Sequence, residues 1–328
     1  MRYYWFSGKY QHNRNMKNQI AMQKFLEKYY WKNDSVILGC SGWPDSMYLL
    51  YKILQTPYAK NLVICYFNHK TRPQTETEET YLEKLAFEKW CKFESAECDF
   101  EKIQKLYPSK SFEELAREKR YQFFDAVMNI YNSKYVLTWH HLDDRIETCI
   151  FNMLRGSKLT GLINMKNPTP PQSPSFKGEV QGWVLRPLLD LEKSDILKYL
   201  DENKLKYFID ETNTNTDITR NKIRHELIPK FSEIHPHHKW NIRNLLEYFE
   251  ELKNHVDDQV EIFLSLSSPE NPELKNKNKS FEISDFLALS PFLQKEVIRE
   301  IFFKTNNNST IWLSEWNIAE VLKFISDE

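Results

Sequence analysis

The apolar run Val36-Ile37-Leu38 stops at Gly39-Cys40 and gives way to Ser41-Gly42-Trp43-Pro44-Asp45-Ser46, after which Met47 to Leu54 has helical character. A short buried strand, a loop of small and turn-forming residues and a helix start follow one another within twenty residues. That order commits this part of the chain to a strand–turn–helix unit. The first N–H groups of a helix have no partners within it, and the helix dipole puts its positive end there. Such a junction is a phosphate cradle. The loop lacks the Gly-Lys-Ser/Thr ending of the Walker type.

The same alternation continues along the chain. Strand-like runs fall at Val36–Cys40, Leu62–Phe67, Glu94–Phe100 and Tyr135–Trp139, with helical stretches at Met47–Leu54, Thr77–Trp90 and Phe112–Tyr131 between them. Strands separated by helical crossovers predict an α/β fold, a doubly wound parallel sheet. Ligands of such sheets sit at the carboxyl ends of the strands. The loops Ser41–Ser46, Asn68–Arg72 and His140–Asp144 all follow strands and are expected to converge on one crevice.

With 328 residues the chain is long enough for two domains. Residues 1–21 read as a polar N-terminal extension, with Met16 and Met22 as alternative starts. Residues 22–215 read as the catalytic domain and 216–328 as a smaller helical domain. The Pro/Ser-rich segment 167–182 reads as a mobile loop, because sheet-like sequence resumes at Val184-Leu185-Arg186-Pro187-Leu188-Leu189 and a helix follows from Glu192 to Asn203. A net charge of −1 gives no global signature of nucleic-acid binding, so any polyanion must meet a local patch. Five scattered cysteines without a C-x-x-C pair argue against a disulfide framework or a cluster site. No signal peptide or long apolar span is visible, and the expectation is a reducing, cytoplasmic setting.

Three further clusters carry chemistry. In His140-His141-Leu142-Asp143-Asp144-Arg145-Ile146-Glu147-Thr148, a helix beginning at His140 puts His140, Asp144 and Glu147 on one face. Acids crowded this way need something positive among them, a divalent cation or a substrate ammonium. In Glu113-Glu114-Leu115-Ala116-Arg117-Glu118-Lys119-Arg120-Tyr121, two arginines lie one turn apart. Spacing alone allows ordinary surface ion pairs or a guanidinium clamp on phosphate. From Arg220 to Arg243 six basic residues face two acids, a local excess suited either to a solvated face or to polyanion contact.

Taken together these motifs resemble the tRNA(Ile)-lysidine synthetase family of the pyrophosphate-loop ATPase superfamily. The resemblance runs from about Ser35 to Pro229. It rests on the Ser41–Ser46 loop, Asn68-His69 with Arg72, Glu114 with Ala116-Arg117 and Arg120-Tyr121, and His140 to Thr148. Leu154-Arg155-Gly156, Arg186-Pro187-Leu188-Leu189, Asp210 with Asn213, and Arg220-Asn221-Lys222-Ile223-Arg224 complete it. It implies an adenine nucleotide α-hydrolase-like sheet and a ligase. ATP adenylates C2 of the wobble cytidine in a tRNA(Ile) with anticodon CAU, pyrophosphate leaves, and free L-lysine displaces AMP. On this resemblance Ser41, Gly42, Trp43, Pro44, Asp45, Ser46, Asn68 and His69 bind ATP, and Asp45 places Mg²⁺. Asp144 and Glu147 receive the lysine. Asp45, Arg117, Asp144 and Glu147 form the catalytic set. Arg155, Arg220, Asn221 and Arg224 meet the tRNA, and a homodimer is consistent with the family. A tRNA thiolase of the same superfamily, or an inactive tRNA-binding homologue, is the alternative.

The chain departs from the pattern at Trp43, where the resemblance implies glycine. Trp139 and Trp90 also stand where glycine is expected. Average glycine usage of about 7% predicts roughly 23 glycines in a chain of this length; there are 7, beside 9 tryptophans. The imbalance fits a gene in which UGA encodes glycine but has been read as tryptophan. The competing reading is a genuine Trp43, tolerated or marking an inactive homologue.

Overall fold

The computed structural model describes residues 21–70, 74–163, 165–168, 183–209, 219–266, 281–305 and 313–327. The extension at 1–20, most of the 167–182 segment, Arg72, Asp210 and Asn213 lie outside them. Two compact units divide the chain, Met1–Arg243 and Asn244–Glu328.

In the first unit helix α1 (residues 21–29) precedes β1 (Val36–Gly39), α2 (Pro44–Leu54), β2 (Leu62–Asn68), α3 (Gln74–Glu88) and β3 (Lys92–Glu97). Then come α4 (Phe100–Leu106), α5 (Phe112–Ile130), β4 (Tyr135–Leu137), α6 (Leu142–Leu154), α7 (Leu159–Leu162), β5 (Trp183–Leu185) and α8 (Lys193–Glu202). After α9 (Thr219–Lys222), a π-helical turn at Ile223–Leu227 leads into α10 (Ile228–Ile234) and the start of α11 (His238–Leu266). All strands are parallel, in the order β3-β2-β1-β4-β5. The chain moves outward from β1 through β2 to β3, then returns to the other side of β1 with β4 and β5. The topological switch therefore falls between β1 and β4, where a parallel sheet opens its ligand crevice.

Side chains alternate across the central strands, so each face buries its own core. Val36, Leu38, Leu62 and Ile64 pack with Leu49, Leu50 and Ile53 of α2 and with Ile196 and Leu200 of α8. Ile37, Val63, Val136 and Val184 face Tyr121, Phe124 and Val127 of α5. Fully burying such an aliphatic side chain stabilises the fold by about 1.5–3 kcal/mol. Gly39 is required by this packing: a Cβ there would lie 2.6 Å from Cζ of Phe124.

Several sequence expectations shift at their ends: α3 runs Gln74–Glu88 rather than Thr77–Trp90, and β4 stops at Leu137 rather than Trp139. The strand expected at Glu94–Phe100 stops at Glu97, because Asp99 caps a helix instead, its Oδ1 accepting the Lys102 N–H at 3.2 Å. The helix expected from His140 starts at Leu142, with His141 as its N-cap, so His140 is not on the helical face with Asp144 and Glu147.

The second unit holds the rest of α11 with α12 (Ile283–Leu287), α13 (Pro291–Thr305) and α14 (Glu315–Ser326). Its core gathers Val260, Leu264, Phe286, Val297, Ile298 and Ile318. Among the described residues no helix is long and apolar enough to cross a membrane.

Candidate active site

The loop after β1 is set by local chemistry. Pro44 occupies the first turn of α2, where its missing N–H costs nothing and its fixed φ suits the helix. Gly42 has φ +81°, and a Cβ there would also press on Phe208 at 3.3 Å. Ser46 is fully buried and wires the loop to itself. Its hydroxyl donates to the Trp43 carbonyl at 2.9 Å and accepts the Ser41 N–H at 3.2 Å. Asp45 follows in the first turn of α2 and faces the β4 side of the switch point.

The opposite wall is the start of α6. The His141 N–H donates to Asp144 Oδ2 at 3.0 Å, which closes the first turn. Asp143 caps a different helix, its Oδ2 accepting the Lys193 N–H of α8 at 2.8 Å. The buried His141 imidazole joins the two walls: Nε2 lies 3.6 Å from Asp45 Oδ1 and 3.4 Å from Asp144 Oδ2, and Nδ1 lies 3.5 Å from Asp143 Oδ2. Burial works against its charge, but the Asp143, Asp144 and Asp45 carboxylates outweigh that and raise its pKa above the ordinary value. His140 behaves oppositely. Burial drives its pKa down to about 3, and its Nδ1 pairs with the Thr138 hydroxyl at 3.1 Å.

Four carboxylates thus converge, and the protein itself supplies their counter-charges. Lys193 Nζ reaches Asp45 Oδ1 at 2.5 Å and Oδ2 at 2.6 Å. Lys239 Nζ reaches Asp143 at 2.5 Å and Glu192 at 3.4 Å. Arg224 grips Glu147 with two prongs, Nε to Oε1 at 2.6 Å and Nη2 to Oε2 at 2.8 Å, and approaches Asp144 at 3.4 Å. Arg220 lies 3.8 Å from Glu147 and donates to the Thr148 hydroxyl at 2.5 Å. Burial tends to raise the Asp143 carboxyl, yet His141, Lys239 and the Lys193 amide hold it well below the usual range. Asp144 is also held low against its burial by His141 and His140. Burial lifts Glu147 upward, and the two-pronged guanidinium contact keeps its charged form paired.

The structure therefore brings together Asp45, Asp144, Glu147, Arg220 and Arg224 of the expected residues. Asn68 ends β2 and His69 follows it. Asn68 Nδ2 donates to Glu79 at 2.9 Å, and His69 packs its ring 5.0 Å from Phe67. Arg117 lies over the Tyr121 ring at 4.9 Å. Arg155 is exposed at the far end of α6, against Phe151, and is not part of the cluster. Asn221 lies on α9 between Arg220 and Arg224. The basic stretch 220–243 turns largely inward: Arg220, Arg224, Lys239 and Arg243 all meet acids, while Lys222 and Lys230 face solvent. Sequence reasoning missed Lys193 and the linking role of His141. A lysine in the first turn of a helix opposes the dipole; that unfavourable placement was the available signal for an acid beside it.

A family model described as a PP-loop domain matches residues 14–231. A tRNA(Ile)-lysidine synthase from Francisella philomiragia is 31% identical over 278 residues, covering 84% of this chain and 63% of that protein. One from Bacillus licheniformis is 28% identical over 319 residues, covering 94% of this chain and 63% of that protein. The chain thus spans less than two thirds of the length of these two relatives. Among solved structures, the U34-tRNA thiolase NcsA from Methanococcus maripaludis superposes with a TM-score of 0.57 at 17% identity, covering 73% of this chain and 80% of the thiolase. That likeness is one of fold.

Proposed function

We propose that this chain, which belongs to the PP-loop domain family, joins lysine to C2 of the wobble cytidine of a CAU-anticodon tRNA(Ile), driven by ATP cleavage to AMP and pyrophosphate. The observation that carries the reading is the meeting of a phosphate loop and an acidic helix start across one switch point, with His141 between Asp45 and Asp144. The similarity to tRNA(Ile)-lysidine synthases over most of the chain supports the same substrate.

The chemistry needs two steps. In the first, the C2 oxygen of the cytidine attacks the α-phosphorus of ATP and pyrophosphate leaves. Backbone N–H groups of the Ser41–Ser46 loop and the start of α2 offer donors to the departing phosphates. In the second, the ε-amine of lysine attacks C2 and AMP leaves with the oxygen. In this reading Asp144 and Glu147 receive the lysine ammonium. In the free protein Arg224 holds that place, so lysine enters by displacing a guanidinium or by lying beside it. Exposed Lys222 and Lys230, with the second unit, are candidates for tRNA contact. The target base has to leave its stack to be reached.

Among the described residues no group of three His, Cys, Asp or Glu side chains is arranged to hold a metal ion on its own. Mg²⁺ is commonly held by one or two carboxylates plus substrate phosphates. Asp45, at the mouth of the loop, would supply one such carboxylate once Lys193, whose Nζ lies 2.5 and 2.6 Å from its two oxygens, gives it up. The ion would offset phosphate charge as pyrophosphate departs.

The test is transfer of labelled lysine onto a CAU-anticodon tRNA(Ile) transcript with ATP present or withheld. ATP-dependent incorporation at the wobble position is the expected result. Pyrophosphate release with tRNA that neither needs nor incorporates lysine would overturn the lysine assignment. Because of Trp43, the assay is run on the chain as written and on its Trp43→Gly form.

A further inference from the structure

We infer that positions 43, 90 and 139 are glycine in the native protein, encoded by UGA, and that the space the indoles of Trp43 and Trp139 fill is the nucleoside pocket of the site. The second half, and with it the structural case for glycine at 43 and 139, rests on the ATP reading given above; glycine at 90 does not.

Trp90 gives the backbone argument. It follows α3 with φ +57° and is 90% exposed. Its N–H bonds the Phe87 carbonyl at 3.2 Å, and the Cys91 N–H reaches back to the Ala86 carbonyl at 2.9 Å. These two bonds define the helix C-terminal motif whose left-handed residue is usually glycine. The same chain closes α6 in this way with Gly156, φ +72°, through Gly156 N–H to Met153 O and Ser157 N–H to Asn152 O. Asn132 and Lys204 close two other helices with positive φ. Asparagine suits that region, and lysine is unbranched; tryptophan is the one bulky aromatic so placed among the described residues. The indole gains almost no burial in return.

Trp43 gives the capping argument. It is the N-cap of α2, with φ −83° and ψ 165°, and makes no side-chain cap bond. Ser, Thr, Asp, Asn and Gly are the residues that suit an N-cap. Its conformation does not demand glycine; the difficulty is where the indole goes. It lies on the wall of a cavity with Ser41, His69, Arg120, Phe124 and Trp139. Trp139, two residues beyond β4, stacks on His140 and under the Arg120 guanidinium, 5.6 Å from its ring centre. The cavity thus lies at the carboxyl ends of β1, β2 and β4, beside the phosphate loop, where a parallel sheet seats its ligand. Its volume is about 60 Å³, whereas small-molecule pockets begin near 300 Å³. Two indoles occupy the place a nucleoside needs.

Burial points the same way. Tryptophan is highly buried on average, yet among the described residues no tryptophan belongs to the core.

The first experiment reads the codons for 43, 90 and 139 in the gene and sequences the corresponding peptides of the protein purified from its own cells. UGA codons and glycine-bearing peptides are expected; UGG at these positions overturns the inference. The second titrates ATP with Mg²⁺ into the chain as written and into the Trp43→Gly/Trp139→Gly variant, with circular dichroism confirming that both are folded. At least about tenfold tighter binding by the glycine form is expected, a shift of about 1.4 kcal/mol. Equal, tight binding by both removes the pocket half. UGA codons with no ATP binding by either form sink the ATP reading and leave the recoding standing. Trp90→Gly should raise the melting temperature; a fall would count against glycine at that position.

Discussion

Lys193 Nζ lies 2.5 and 2.6 Å from the two carboxylate oxygens of Asp45, although 148 positions separate the residues in the chain. The pair ties the start of α8 to the start of α2 across the crevice. It leaves an ammonium at the mouth of the phosphate loop, where pyrophosphate would depart. Lys193→Met should therefore lower kcat for tRNA-dependent pyrophosphate release by about 100-fold, in the range found for removing one preorganised electrostatic donor. Lys193→Arg should retain part of the rate. Because Lys193 is partly exposed, stability should fall by no more than about 1 kcal/mol. A Lys193→Met protein with full activity would remove this residue from the chemistry.

Gly39→Ala tests the packing behind the site. The added methyl would meet the ring of Phe124, which is only 2% exposed and has core neighbours around it. Overpacking of this kind costs about 1–3 kcal/mol. Urea unfolding should show the midpoint falling with an unchanged slope. A companion change, Phe124→Leu, should recover part of the loss in the Gly39→Ala background by opening space for the methyl.

Local features were legible in the sequence and long-range ones were not. The β1–loop–α2 unit could be read because an apolar run, small residues and a first-turn proline are consecutive. The sequence points to His140 as the α6 start, two residues early, because the N-cap is His141 and histidine carries none of the usual capping signal. Strand β3 was extended through Asp99 because a cap and a strand end look alike when only composition is considered. The acids of the site were found by their crowding near residue 144. Their partners were not, since Lys193, Arg224 and Lys239 come from elements folded back over tens of residues. For that reason the stretch 220–243 looked like an outward basic patch, whereas most of its charge is spent on Glu147, Asp143 and Asp190.

The His141 cluster predicts two opposite pH limbs. The carboxylates raise the His141 pKa, so its protonated form stabilises the fold fully below the unfolded value of about 6.5. That contribution is lost as pH rises through the higher folded value. Asp143 is depressed, so its contribution is present above about pH 4 and is lost as pH falls toward its folded value. Melting temperature should thus decline above neutrality in the parent and decline less in His141→Gln. On the acid side, Asp143→Asn should flatten the fall below pH 4. Parallel curves for parent and His141→Gln above pH 7 would show that the imidazole is not charged in the fold.

Arg224 and Glu147 allow the sharpest separation of structure from chemistry. Glu147 is 1% exposed and its carboxylate is gripped at 2.6 and 2.8 Å. Removing the guanidinium leaves a buried charge without its partner. Arg224 is itself partly open to solvent, so Arg224→Met should cost about 2–3 kcal/mol, less than for a fully buried pair. Glu147→Gln keeps a polar group for the guanidinium and should cost less. If the two residues act as a pair, the double variant should lose less than the sum of the singles, with a coupling of about 0.5–3 kcal/mol. Lysine use should separate them. Glu147→Gln should raise the KM for lysine strongly while ATP binding is unchanged, since Glu147 is one of the two acids proposed to receive the ammonium. Arg224→Lys, which keeps the charge but not the two-pronged fit, should lower stability while leaving the KM for lysine unchanged or lower, because a looser group then holds the ammonium's place. An unchanged lysine KM in a folded Glu147→Gln protein would place the amine elsewhere in the crevice.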